Sequence, residues 1–345
     1  RSAATERGHI RIAFGSCARY AVSPIQPVWD GVDRCEPDLF LWLGDNIYGD
    51  SLSAEKLHEE YRRQLSVPNL EPVQSRVSQL AIWDDHDFAL NDSDRRNPMK
   101  GKALEAFRTY WANPAYGLAE SPGVFFRHSF GPVDLFMLDN RYHRSPASEA
   151  DGPQKTALGR AQVAWLKDEL KASKAAFKIV ASGQGWTDAK AFGGESWASY
   201  LTERDEILSF IRSEPVNGVF LISGDTHVAE INALPGRANG YDLVECVSSP
   251  LAQETAMSWL NYKPVERLRQ VYAGGANFGL MDFDFTKEDP SVRLSIRNVQ
   301  GAPVSDPLDI RASELAPGRS FWREKMDAVS KRRWEKYEAT GVYYG

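Results

Sequence analysis

Five acidic or histidine side chains crowd into AIWDDHDFALND, residues 81–92: Asp84, Asp85, His86, Asp87 and Asp92. The apolar lead-in Leu80-Ala81-Ile82-Trp83 reads as the end of a buried strand, so the charge sits at the mouth of the core. Unpaired buried carboxylates are costly, and such a cluster calls for a cation to satisfy it. Carboxylates and imidazole are metal ligands, and histidine is also the side chain best suited to move a proton near neutral pH.

Other short runs offer more ligands. In LWLGDNIYGD, Gly44 lets the chain turn and puts Asp45 at a strand tip, with Tyr48 one helical turn further on. A carboxylate there can bridge two cations, and a tyrosine phenolate suits Fe(III); ordinary Gly-Asp-Asn turn chemistry explains the same residues. In SGDTHVAE, Asp225 and His227 stand two apart. On an extended segment they face one side and could reach one ion; the alternative is an Asp-capped turn with a half-buried histidine. Cys17 in FGSC is a thiolate ligand, a nucleophile, or a buried thiol, the usual fate of free cysteine. In LDNRYHR, Asp139 or Asn140 could orient groups, and Arg141 could clamp a phosphate through its planar fork or pair with one of the surplus aspartates. In SGQGW, Gln184 could offer a carbonyl oxygen.

The elements around these runs explain why they would meet. Apolar β-rich stretches fit strands at 10–14, 38–43, 77–83, 177–181 and 218–222, with a hairpin over 124–130 and 133–138. Helices fit 24–34, 54–65, 100–111, 159–172 and 202–212, the second of them amphipathic. Further strands fit 242–247, 279–285 and 292–299, and a basic-aromatic helix over 319–337 closes the chain. Strands flanked by helices predict a layered α/β domain. Six of the strands end in FGSC, LGDNIY, WDDHD, LDNRY, SGQGW or SGDTH, and open α/β sheets gather their sites at the carboxyl ends of strands.

Composition limits the partners. The net charge of −6 gives no general attraction to nucleic acid or anionic membrane, so an anionic substrate needs a locally positive site. No apolar run approaches the ~20 residues that span a bilayer. Three cysteines exclude a disulfide scaffold but allow one Cys35–Cys246 bridge. The chain opens on RSAATERGHIRIAF without an apolar leader, so either it is not exported or a signal has been removed.

Taken in order, Gly15-Ser16-Cys17, Gly44-Asp45-Asn46-Ile47-Tyr48, Trp83-Asp84-Asp85-His86-Asp87, Leu138-Asp139-Asn140-Arg141 and Ser223-Gly224-Asp225-Thr226-His227 resemble the calcineurin-like metallophosphoesterases. They are most similar to the PhoD-like alkaline phosphatase/phosphodiesterase family, in the shorter form without an N-terminal β domain. The likeness extends over roughly residues 10–250. It implies a four-layer α/β sandwich, with residues 1–318 as the PhoD-like domain and 319–345 as a helix and tail packing on it.

The resemblance also implies Fe(III) with one or two Ca2+ ions. Cys17 and Gln184 stand where the superfamily has an Asp-x-His and a histidine, which disfavours Zn2+ or Mn2+. The implied metal ligands are Cys17, Asp45, Tyr48, Asp85, Asn91, Asp225 and His227, with Asp92 beside Asn91 near a calcium. Asp85 takes the place of a metal-binding asparagine, and His86 that of the histidine contacting phosphate and leaving group. Asn140, Arg141 and His86 are the implied substrate-binding residues, and His86 and Arg141 the catalytic ones.

The activity expected is hydrolysis of phosphomonoesters or phosphodiesters by a metal-bound hydroxide. The protein is expected to be an exported monomer acting on a small phosphoester, with a cytoplasmic location left open. A phospholipase-D-like activity would need an apolar groove, for which Trp259, Phe278 and the aromatic C-terminal helix are candidates. A non-catalytic calcium- or phosphate-binding protein and a cysteine hydrolase using Cys17 are the remaining alternatives.

Overall fold

A computed structural model describes residues 8–187, 196–236, 241–256 and 264–343. The first part alternates strand and helix: β1 (His9–Gly15), α1 (Val28–Arg34), β2 (Leu39–Leu43), α2 (Ala54–Leu65), α3 (Glu71–Arg76), β3 (Ser78–Ile82) and α4 (Lys100–Tyr110). A short ribbon of β4 (Gly117–Leu118) and β5 (Ser121–Pro122) leads to the hairpin of β6 (Phe126–Phe130) and β7 (Val133–Met137). Then come α5 (Arg160–Ala172), β8 (Phe177–Ser182), α6 (Leu201–Ser213) and β9 (Val219–Ser223). The chain continues through β10 (Ala229–Leu234), β11 (Leu243–Val247), β12 (Glu266–Tyr272), β13 (Asn277–Asp284), β14 (Ser291–Asn298) and β15 (Leu308–Arg311). It closes with α7 (Trp322–Lys325) and α8 (Ala328–Thr340).

Among the described residues the long strands form two sheets, ordered β15-β14-β13-β1-β2-β3 and β12-β10-β11-β9-β8-β7-β6. β1, β2 and β3 are parallel neighbours, as are β7, β8, β9 and β11. Parallel strands are covered on both faces, and LFLWL in β2 and VFLIS in β9 are buried throughout. In β2, Phe40 and Trp42 share one face and meet Trp29 of α1, with ring centroids 5.1 and 4.8 Å apart. Between the sheets, Phe283 of β13 meets Phe177 of β8 at 5.3 Å and Phe220 of β9 at 6.3 Å. The result is helices outside and two sheets inside: the α/β sandwich expected from the sequence.

The carboxyl ends of the two parallel sets are tied together. Leu251 and Ala252 donate backbone hydrogen bonds to Ser16 and Cys17 (2.8 and 2.9 Å), the Asp225 N–H donates to Ser16 Oγ (3.2 Å), and Cys17 N–H donates to Gly44 O (3.2 Å). This places the loops after β1, β2, β9 and β11 at one edge.

One expectation is corrected and one open alternative is closed. The single C-terminal helix is two, because Asp327 accepts the Ser330 N–H and caps a new helix (2.6 Å) while Met326 leaves helical geometry. The Cys35–Cys246 bridge is absent. Cys35 caps α1 outside one sheet, Cys246 lies within β11 of the other, and both are free thiols.

Candidate metal centre

Strained backbone marks the edge where the loops meet. Cys17, Asp45, Asp225 and His227 all have left-handed φ, at 60°, 50°, 65° and 53°. Each costs on the order of 1–3 kcal/mol in a residue with a Cβ, and such strain persists where the surroundings over-determine it. Gly44 (φ 99°) lets the β2 and β3 loops touch: a Cβ there would lie 2.6 Å from that of Asp84. Asp87, wholly buried, fastens the same two loops. Its carboxylate accepts the N–H groups of Asn46 and Asp84 (3.1 Å each) and the Tyr61 hydroxyl (3.2 Å).

Two groups of ligand atoms result, each within 4.8 Å: Cys17, Asp45 and His227, and Asp45, Asp85 and His86. Asp45 belongs to both. Its Oδ2 accepts from Cys17 Sγ (3.4 Å) and the Tyr48 hydroxyl (3.5 Å), while its Oδ1 is buried without a hydrogen-bond partner. Tyr48 Oη also lies 3.4 Å from His227 Nε2, so the phenol reaches the first group.

The electrostatics agree with a cation-binding site. Burial, with Cys17 and Asp85 adding to it, pushes the Asp45 carboxyl well above its usual range. Burial raises Cys17 to about 12 and Tyr48 well above an ordinary phenol, and it raises Asp84 to about 8 against the opposing Arg141. Burial alone would lower His86, but Asp45, the hydrogen bond to Asp50 and Asp85 outweigh it and hold the imidazole up at about 10. A buried carboxylate oxygen with no donor, crowded by a thiol, a phenol and further carboxylates, is a donor set that fits metal ions and is poorly satisfied without them.

Of the residues singled out from sequence, Cys17, Asp45, Tyr48, Asp85, His86 and His227 come together in this way. Asp225 stands at the same edge, close enough for its charge to raise Cys17 and Asp84, but outside the two ligand groups. Asn91 is exposed; its neighbour Asp92 instead gives its backbone N–H to Asp85 Oδ2 (2.7 Å). Asn140 is fully buried, its Oδ1 accepting from Ser182 Oγ (3.0 Å) and Gly183 N–H (3.2 Å), while its Nδ2 has no hydrogen-bond partner.

Arg141 lies against two of the surplus aspartates. It is fully buried, with Nε donating to Asp84 Oδ1 (2.5 Å), Nη1 to the Ser93 carbonyl (3.2 Å) and Nη2 3.6 Å from Asp85 Oδ1. A phosphate clamp needs an open fork, and here Asp84, the Ser93 carbonyl and Asp85 lie against it. Asp139 caps its own loop through the N–H groups of Val124, Arg141 and Tyr142. Gln184 Oε1 accepts from Arg144 Nη1 (2.6 Å) and belongs to neither ligand group. Of the apolar-groove candidates, Phe278 is in the core and Trp259 lies outside the described residues.

Asp50 is the residue that sequence reasoning missed. Its Oδ1 lies 2.7 Å from His86 Nδ1 and fixes the imidazole. The only signal was its place at the end of LGDNIYGD, where it reads as a turn aspartate.

The two-sheet sandwich is that of the calcineurin-like metallophosphoesterases. A purple acid phosphatase from yellow lupin (Lupinus luteus) is similar, with a TM-score of 0.60, 11% identity, and coverage of 88% of this chain and 54% of that one. A dimetal phosphatase from Danio rerio is similar at a TM-score of 0.53, with 12% identity over 88% of this chain and 99% of that one. Within that class, a family model of PhoD-like phosphatases matches residues 12–294, and the chain belongs to this family. It is 25% identical to alkaline phosphatase D of Bacillus subtilis (strain 168) over 267 residues, 63% of this chain and 46% of that protein. The chain thus spans about half the length of that relative. A solved structure of PhoD has a TM-score of 0.71 at 16% identity, covering 96% of this chain and 76% of that one. Among the described residues, no helix is long and apolar enough to cross a membrane.

Proposed function

We propose that this protein is a metal-dependent phosphoester hydrolase acting on small phosphomonoesters or phosphodiesters. The observation that carries the reading is Asp45, shared between two groups of ligand atoms with one buried oxygen unpartnered. Cys17, Asp45, Tyr48 and His227 offer the thiolate and phenolate that suit Fe(III), and Asp45 and Asp85 the hard oxygens that suit Ca2+. Metal ions bound there supply positive charge for a phosphoryl group and a water of lowered pKa.

The chain's own side chains do the rest. Asp50 holds His86 by Nδ1, and its carboxylate favours the protonated imidazole. His86 in that state is equipped to give a proton to the departing ester oxygen. Arg141 neutralises Asp84 and Asp85 from within and so supports the loop that carries His86. Export, suggested by the family resemblance, belongs to the same proposal.

The test is turnover of p-nitrophenyl phosphate and its bis ester by protein as purified, after chelation, and after readdition of iron and calcium. Hydrolysis lost on chelation and regained with metal is expected. Metal-loaded protein that turns over neither ester would overturn the reading in favour of a binding protein on the same fold.

A further inference from the structure

With Arg141 held against Asp84 and Asp85, a guanidinium for an anionic substrate would come from another element, and the loop after β1 carries one. Arg19 follows Cys17 by two residues, and its guanidinium carbon lies 5.2 Å from the ring centroid of Tyr48. The Tyr48 hydroxyl reaches Asp45 and His227, so Arg19 lies along the same side chain that runs into the metal centre. The Arg19 backbone is pinned. Its N–H donates to Ala252 O (2.9 Å) and its carbonyl accepts from Val22 and Ser23 (3.1 and 3.2 Å).

The side chain is half-buried and, among the described residues, makes neither a hydrogen bond nor an ion pair. That is unusual for a half-buried guanidinium, because five donors in a rigid fork normally find a carboxylate. Contact with an aromatic face leaves those donors open.

We propose that Arg19 is a substrate-binding residue whose fork takes an unesterified phosphoryl oxygen and biases the site towards phosphomonoesters over phosphodiesters. The inference rests on the phosphoester reading above. Its chemical basis is that a monoester carries nearly two charges and three free oxygens, whereas a diester has one charge and two. A guanidinium at the rim therefore adds more to the first.

The test uses metal-loaded wild type, Arg19→Ala and Arg19→Lys. It measures inorganic phosphate binding by calorimetry, kcat and KM for p-nitrophenyl phosphate and bis-p-nitrophenyl phosphate, and metal content. Arg19→Ala is expected to weaken phosphate binding and lower kcat/KM for the monoester by roughly 10- to 100-fold, the effect of losing charge-assisted hydrogen bonds. The diester should change by less than about threefold and metal content not at all, since Arg19 touches no metal-ligating atom. Arg19→Lys should recover part of the loss, keeping the charge without the fork. Unchanged phosphate binding, equal losses on both esters, or loss of metal in Arg19→Ala would overturn the proposal and leave Arg19 as a packing partner of Tyr48. A wild type that binds no phosphate and cleaves neither ester would instead overturn the phosphoester reading, and this inference with it.

Discussion

Replacing Arg141 with methionine separates its two sequence readings. The guanidinium is fully buried between Asp84 and Asp85, themselves 1% and 6% exposed at the side chain. Removing one partner of such a pair costs about 3–5 kcal/mol, because the charges left behind have no water. At ~2.1 cal/mol/K per residue, a chain of 345 residues melts with an entropy of about 0.7 kcal/mol/K, so the expected fall in Tm is roughly 4–7 °C. Thermal denaturation followed by circular dichroism, in chelator and again with metal, measures it. The fall should be larger in chelator, since bound cations would otherwise relieve Asp85. Adding Asp84→Leu to Arg141→Met should recover much of the loss, as apolar replacement of a buried pair is often near neutral. A Tm within about 1 °C of wild type, together with a raised KM for phosphate esters, would refute this placement and return Arg141 to the role of a clamp.

Three further outcomes are expected. His86→Ala should slow alkyl phosphates by about 10²–10⁴-fold but nitrophenyl esters far less, because a nitrophenolate leaves without a proton; equal losses with falling metal content would make His86 a ligand. Burial pushes Glu245 up to about 7, against hydrogen bonds from Ser223 Oγ and Trp186 N–H. A raised carboxyl contributes stability that is present below the ordinary carboxylate range and lost as pH rises through about 7. Glu245→Gln, which keeps the acceptor oxygen, should therefore melt increasingly above wild type as pH rises from about 5 to about 8; a constant difference would show that Glu245 does not titrate in that window. Iron bound by Cys17 and Tyr48 should give a visible charge-transfer band that weakens in Cys17→Ser and shifts in Tyr48→Phe; a colourless, iron-free, fully active protein would contradict the iron assignment.

The strands that carry the centre were legible because each is a short apolar run ending in polar residues, and parallel strands buried on both faces read that way. Ala54–Leu65 was legible to the residue, since Ser53 caps it and its apolar positions follow a helical period. β10 and β12 were not. Glu230, Asn232 and Arg267 interrupt their apolar pattern, yet all three are buried, and Glu230 pairs with Arg267 at 2.9 Å. The same blind spot governed Arg141. A sequence shows a cation and several acids, but which acids surround it depends on contacts between residues 57 apart. Asp50 was hidden for the same reason, since only the folded loop brings it to His86.

The central claim is that Asp45 joins two metal positions, and elemental analysis tests it most directly. Wild type and Asp45→Asn would be purified without added metal, analysed for iron, calcium, zinc and manganese, and assayed on p-nitrophenyl phosphate. Wild type should hold more than one metal ion per chain. Asp45→Asn should hold fewer and lose turnover with them, because the shared carboxylate is what keeps two cations from repelling one another. Full metal content with near-wild-type turnover in Asp45→Asn would contradict the account.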